Sequence, residues 1–344
     1  MRRAHIQLSN VERTSSEVQR TLERLITNTE PNKVRQIQNL EGKCIKIIIN
    51  NIAGVDKNNR KLERIIETMT SKETDIFLGQ EINIKTRDKT FQKFTRRTGI
   101  REYHFITSES EVPFESRKKP GGTFCITGPR MKTRIKERIL DHMGRWAGCI
   151  YQLKKLQFAL ISVYQTVENT HHGPTSIHSQ QVAILIKEGR TISPRQAFKQ
   201  DLMTTIKMLQ VNKIEVIIAG DFNTALISEG VIQALCLQCN LELVNNIENI
   251  GTTYRHGRSC IDHVLASSTI ATKIISIEYK DYPEDYYTDH TPILLHLNID
   301  SMINNKSLTS RQKIRRLFSK DQENSRLYIE SKSKLCRHYK LQEQ

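Results

Sequence analysis

Two neighbouring apolar runs limit the fold of this chain more than anything else in it. Residues 148–153 and 157–164 both read as buried strands, and three residues separate them. A parallel pair needs a crossover of about a dozen residues or more, so these strands pair antiparallel and a purely parallel sheet is excluded. Further runs at 44–49, 75–80, 123–126 and 216–219 also read as strands. Between them Leu62, Ile65, Ile66 and Met69, and later Phe198, Leu202, Ile206 and Leu209, recur at helical spacing. The pattern predicts an α/β core of two mixed sheets with helices outside.

Composition narrows the class. With 344 residues and 37% hydrophobic content the chain can fill a real core, which excludes full disorder. No run approaches the roughly 18 apolar residues of a membrane helix, and residues 1–7 lack the apolar stretch of a secretory leader. The expectation is an intracellular protein with no membrane partner. Lys and Arg exceed Asp and Glu by 53 to 37, a net +16, which predicts a polyanionic partner, nucleic acid ahead of an anionic membrane surface. The seven cysteines are scattered and mostly sit among apolar residues, as reduced thiols do. Cys236 and Cys239 have the spacing of half a zinc site, with no second pair placed to complete it; a buried helix end stands beside a metal or redox role.

Charge and pattern divide the chain into three segments. Residues 1–42 read as an N-terminal extension, in which Thr14 to Glu17 fits a capping box and Val18, Leu22, Leu25 and Ile26 form a short docking helix. Residues 43–300 hold the α/β pattern. Residues 301–344 form a tail with eleven basic and four acidic side chains.

Polar residues cluster where the predicted strands end. Residues 217–219 are apolar and run into Gly220, Asp221, Phe222 and Asn223, which puts a carboxylate and a carboxamide two residues apart, on one face of a sheet rim. Together they can hold and activate a water, although an Asx turn alone would look the same. A second strand ends in Gln80-Glu81, a rim carboxylate suited to a hard cation such as Mg²⁺. A third ends in Asn50-Asn51 and a fourth in Tyr164; Asp262 stands in an apolar run, and Thr288-Asp289-His290 precedes another.

In order and spacing these six pieces resemble the endonuclease/exonuclease/phosphatase superfamily, the DNase I-like group that includes AP endonucleases and the endonuclease domains of non-LTR retrotransposons. The match covers residues 43 to about 300. It implies a four-layer α/β sandwich of two packed mixed sheets and a divalent-metal phosphodiesterase site at one rim, with Mg²⁺, or Mn²⁺ in its place. Carried onto this chain, the resemblance makes Glu81 a metal ligand with Asp289 close by. Asp221 would deprotonate or orient the attacking water, and Asn223 and Asn51 would hold that geometry. Tyr164 would contact the phosphate, and His290 would hydrogen-bond it, with Asp262 fixing the imidazole. The chain departs from the pattern at Asn50, where many relatives have an aromatic residue, at Ala53, where they have Asn or Asp, and at Thr288 in place of Ser.

Several other features carry two readings. His171-His172 reads as a solvated loop pair rather than a ligand set. Trp146 reads as a packing residue, while Arg145 beside it is also placed to contact a nucleic-acid backbone. Arg117, Lys118 and Lys119, followed by Arg130, Lys132, Arg134, Lys136 and Arg138, form either a solvated surface or a DNA-contacting rim. The tail from Arg311 through Arg315 and Arg316 resembles a linker that leads to a reverse transcriptase of the same element, and residues 178–202 resemble the connection found in retroelement endonucleases.

The function implied is a metal-dependent DNA endonuclease, nuclear if it acts on genomic DNA, which leaves a 3′-hydroxyl. A phosphoinositide phosphatase or sphingomyelinase of the same fold stands as an alternative. The inositol phosphatases, however, carry a Trp-Cys-Asp-Arg type motif where this chain has Ser259 to His263. An inactive nucleic-acid-binding remnant of a mobile element is the third reading.

Overall fold

Strand β1 (Cys44–Asn51) buries both faces because its apolar residues fill both alternating positions. Ile45, Ile47 and Ile49 face a core shared with the second sheet, while Ile48 faces Leu62, Ile65, Ile66 and Met69 of helix α1 (Arg60–Ser71). The computed structural model describes residues 44–299, apart from 155, 168–172, 174, 226–229 and 246–251. The N-terminal helix expected at 14–26, the His171-His172 pair, and the tail with Arg315 and Arg316 lie outside the described residues.

Helix α1 is the crossover between β1 and β2 (Ile76–Gln80), which pair in parallel. Helix α2 (Lys89–Thr95) precedes β3 (His104–Ser108) and β4 (Thr123–Thr127). The short helix α3 (Pro129–Lys132) leads to β5 (Ile135–Leu140), β6 (Trp146–Gln152) and β7 (Gln157–Tyr164), and helices α4 (Ile177–Lys187) and α5 (Pro194–Val211) lead to β8 (Glu215–Asp221). Helix α6 (Val231–Cys239), β9 (Leu241–Leu243), β10 (Asp262–Ser267), α7 (Ser268–Ala271), β11 (Ile274–Tyr279) and β12 (Ile293–Asn298) complete the described chain. One six-stranded sheet has the order β11-β12-β1-β2-β4-β3 and the other β5-β6-β7-β8-β10-β9.

Each sheet contains one parallel pair, β1–β2 and β7–β8, among antiparallel neighbours. β6 and β7 pair antiparallel, as their short separation requires. Phe158, Leu160, Ile217 and Ala219 face the first sheet, and Ala159, Ile161, Val163, Val216 and Ile218 face Phe198, Leu202, Ile206 and Leu209 of α5. The result is the four-layer α/β sandwich of two mixed sheets.

The ladders outrun the apolar stretches that mark them in the sequence. β1 continues through Asn50 and Asn51, which pair with Gly79 and Gln80, and β8 continues to Asp221, flanked by Tyr164 and Asp262. The polar residues that close these strands therefore sit on hydrogen-bonded rungs rather than in loops. Gly220 makes this possible at β8: its φ is +148°, and a Cβ there would lie 2.1 Å from the Val163 carbonyl oxygen.

Candidate active site

The two parallel pairs end at one rim, and a single carboxamide joins them. Asn51 Nδ2 donates to Glu81 Oε1 at 3.1 Å and to Asp221 Oδ2 at 3.0 Å, while its Oδ1 accepts from the Ala53 N–H at 3.0 Å. One side chain thus fixes a carboxylate from each sheet. Below it, Gln80 Nε2 donates to Ser162 Oγ at 2.8 Å, a second tie between the sheets.

Asp221 Oδ1 accepts from the Asn223 N–H at 2.8 Å, an Asx turn, so the turn and the reactive-site readings of this strand end describe the same residues. Asn223 Nδ2 donates to the Gln165 carbonyl at 2.7 Å, and the buried Tyr164 phenol lies under the influence of Glu81, Asp221 and Asn223. Burial and the charges of Glu81 and Asp221 hold that phenol in its protonated form. Ala53, Glu81 and Asn223 all have φ between +45° and +52°, a left-handed backbone that costs a Cβ-bearing residue roughly 1–2 kcal/mol. The Gly54 N–H donating to the Glu81 carbonyl at 2.8 Å helps to hold two of them in place.

His290 completes the group. Its Nδ1 lies 2.9 Å from Asp262 Oδ2 and its Nε2 3.8 Å from Asp221 Oδ2. Burial opposes the imidazolium, but Asp262, Asp221 and Asp289 outweigh it and raise its pKa to about 9. Burial, together with Asp262 and Glu81, pushes the Asp221 carboxyl up to about 8 against the pull of His290 and the Asn223 N–H. The backbone of His290 is clamped as well: its N–H donates to Thr288 Oγ1 at 3.1 Å, and its carbonyl accepts from Asn50 Nδ2 at 3.0 Å. Tyr286 donates in turn to Asn50 Oδ1 at 3.1 Å. Asn50, the departure from the aromatic of relatives, is therefore a support of the histidine.

Residues 49–290 match the Endonuclease/Exonuclease/phosphatase family. The chain belongs to this family. No curated protein sequence matches it. Among solved structures, the AP endonuclease of Leishmania major is similar over 81% of this chain and 98% of its own, with 13% identity and a TM-score of 0.56. The APE2 catalytic domain of Xenopus laevis is similar over 76% and 94%, with 14% identity and a TM-score of 0.51. The endonuclease domain of the telomere-specific retrotransposon TRAS1 matches over 75% and 99%, with 10% identity and a TM-score of 0.48. At these identities the likeness is one of fold, the fold of phosphodiesterases and nucleases.

For a member of this family the charge balance at the rim bears on metal binding. Asp262, Asp221 and Asp289 all act on the His290 imidazole, and Glu81 adds to the negative field at Asp221 and at the Tyr254 phenol, so carboxylates gather at this rim. Such an excess of oxygen donors fits a hard divalent cation. The described His and acid groups whose donor atoms lie within 4.8 Å of one another are Asp221, Asp262 and His290. Of these, His290 Nδ1 is already engaged by Asp262 at 2.9 Å, and the half-buried Glu81 stands outside this group, its Oε1 accepting from Asn51. Asn83, missed in the sequence, helps position Glu81: its Nδ2 lies 3.4 Å from Oε2 while its Oδ1 accepts from the Gly121 N–H at 2.6 Å.

The expected nucleic-acid contacts need correction. Arg145 is 1% exposed; it donates to Asp141 and Asp201 and stacks 4.6 Å over Trp146, so it cannot reach a backbone phosphate and the packing reading of Trp146 holds. Lys119 is buried too and donates to the carbonyls of Ser110 and Val112. Arg117 is half-buried, held by Asp88 at 3.3 Å and by Asn59 Oδ1 at 2.8 Å. Lys118 alone of these four is exposed, on a segment that bridges Ile84 beside the rim. Arg130 is buried against Asp75. Lys132, Arg134 and Lys136 lie near the start of β5, which aligns through Tyr151 and Phe158 with the start of β8, about 20 Å along the strands from Asp221. They are no part of the catalytic rim. Cys236 and Cys239 lie in the last turns of α6, where burial raises both thiols, as in the helix-end reading.

Proposed function

We propose that the chain is a divalent-metal-dependent DNA endonuclease of AP-endonuclease or retroelement type that breaks the bond from phosphorus to the 3′ oxygen and leaves a 3′-hydroxyl. The observation that carries this reading is the bridge of Asn51 between Glu81 and Asp221, with the His290–Asp262 pair facing Asp221. Asp221 takes the proton of the attacking water. A carboxyl titrating at about 8 among its neighbours is close to the working range of a general base. Asn51 and Asn223, both bonded to Asp221, hold that geometry, and Tyr164 contacts the phosphate. His290, its Nδ1–H held by Asp262, donates from Nε2 to the phosphate oxygen where negative charge grows. Mg²⁺, or Mn²⁺ in its place, held by Glu81 and Asp289, would supply charge neutralisation at the phosphate and the leaving oxygen.

On this reading the partner is DNA, the place of action for genomic DNA is the nucleus, and a reverse transcriptase of the same element would extend the 3′-hydroxyl. The test incubates the protein with supercoiled plasmid, an abasic oligonucleotide, single-stranded RNA and a phosphoinositide, each with Mg²⁺ or EDTA. Mg²⁺-dependent DNA cutting that yields polymerase-extendable ends is expected. Turnover of the phosphoinositide alone, or cutting that persists in EDTA, overturns the reading.

A further inference from the structure

Aromatic rings and cations meet in pairs around His290. Tyr254 packs on the imidazole, ring centroids 5.1 Å apart, and its backbone bridges His290. The guanidinium of Arg255 lies 4.2 Å over the Tyr282 ring. Lys61 Nζ, which donates to the Ile52 carbonyl at 2.7 Å, lies 5.9 Å from the Tyr287 ring centroid. Three segments distant in sequence therefore converge, and Asp289 is where they meet. The Arg255 N–H donates to its carbonyl oxygen at 2.7 Å, and its carboxylate acts on both Lys61 and Tyr254.

Tyr287 is the informative member. It is 61% exposed, whereas every other ring of a Phe, Tyr or Trp among the described residues is buried or half-buried. Leaving a large ring in water beside a reactive centre forgoes its burial energy, and the ring is held at the rim two residues from Asp289. Tracking a paired duplex backbone needs cations alone, because paired bases already cover each other's faces. Rings interleaved with cations instead suit a strand whose bases are free to stack on protein.

Resting on the DNA nuclease reading above, we infer that this site takes its phosphate from an unpaired stretch of DNA, with neighbouring bases stacked on Tyr287 and on the Arg255–Tyr282 pair. The probes are a duplex oligonucleotide with a central bubble of mismatches and the same duplex fully paired, with binding followed by fluorescence anisotropy in EDTA. The bubble should bind more tightly than the duplex. Tyr287→Ala should weaken bubble binding by about 5- to 150-fold, the range of one base-stacking contact, and leave duplex binding unchanged. Tyr287→Phe should bind as the wild type does. Equal affinity for the two probes, no binding to either, or an equal loss on both in Tyr287→Ala overturns the inference. Cleavage of the same probes with Mg²⁺ judges the nuclease reading separately: selective bubble binding without cutting refutes the nuclease and keeps the stacking surface.

Discussion

Two charge clusters at the second sheet are built differently, one partly open to solvent at Arg190 and Asp201 and the other enclosed around Asp221. In one, Arg145 and Arg190 meet Asp141 and Asp201 through hydrogen bonds of 2.8 to 2.9 Å. Although burial works against ionisation, those guanidiniums hold the Asp201 carboxyl below the ordinary carboxylate range. In the other, Asp221 and Asp262 share one imidazole, and burial, with Asp262 and Glu81 adding to it, raises the Asp221 carboxyl to about 8. Guanidiniums bonded at short distance to Asp141 and Asp201, with Glu188 also 3.5 Å from Arg190, make a cluster that contributes to holding the sheet. Burial, with two carboxylates to one imidazole, instead keeps a proton exchangeable near neutral pH.

The largest effect that would sharpen this contrast is on stability. Arg145→Ala removes the cation from a carboxylate that is almost fully buried, and breaking a buried pair from one side costs about 3–5 kcal/mol. Urea unfolding should show a loss of that size, while kcat/KM measured well below the transition stays near wild type. An unchanged unfolding midpoint would mean that the first cluster is no more structural than the second.

Asp221→Asn should do the reverse. Cleavage falls by about a hundredfold or more, the usual size of a general-base contribution. The thermal midpoint in EDTA at pH 8 should be no lower than wild type. A carboxyl whose folded pKa is raised costs the folded state stability as pH climbs from its unfolded value toward about 8, and Asn removes that cost. Wild-type rates, or a marked loss of stability, would erase the distinction between the clusters.

On the proposed mechanism Asp262 acts through His290, to which it is bonded at 2.9 Å. The single changes Asp262→Ala and His290→Ala should each lower kcat, and the double variant should lose little more than the worse single one. Additive losses would make Asp262 an ordinary strand residue. A smaller effect is expected at the proposed metal ligand: Glu81→Gln should raise the Mg²⁺ concentration for half-maximal cleavage, and Ala53→Asn should lower it. A flat metal titration in both variants would move the cation away from Glu81.

The contrast between the clusters also explains how far the sequence could be read. The candidate residues lie at or next to the ends of strands, and strand ends can be recognised from apolar runs and family motifs, so Asn51, Glu81, Tyr164, Asp221, Asp262 and His290 could all be named before any contact was known. The arginine cluster could not. Arg145 looks like any basic residue beside an aromatic, and its partner Asp201 lies 56 positions away on another element. Lys119 and Arg130 hide for the same reason, because a side chain's burial depends on which face of the loop or helix it occupies. Asn50 reads in the sequence only as a departure from the family pattern, since its partner Tyr286 lies 236 positions further on. Charge density along a chain counts cations without showing which of them a distant carboxylate has already engaged.

The finest distinction between the clusters is the sign of their pH dependence. Burial raises the Asp201 carboxyl, but the hydrogen bonds and charges of Arg190 and Arg145 outweigh it, so its folded pKa lies below the unfolded one. A depressed carboxylate contributes stability that is complete above its unfolded pKa, near 3.9, and is lost as pH falls through the folded value. Asp201→Asn cannot lose what it no longer has. The stability gap between wild type and Asp201→Asn should therefore be constant from pH 7 to about pH 5 and close on further acidification. The Asp221→Asn comparison should open in the other direction as pH rises toward 8. Because Asp201 is partly exposed, its gap will be small, and thermal midpoints taken across the acid range in EDTA are the measurement to make. A gap that widened toward acid would place Asp201 among the carboxylates raised by burial, and the two clusters would then differ in position but not in kind.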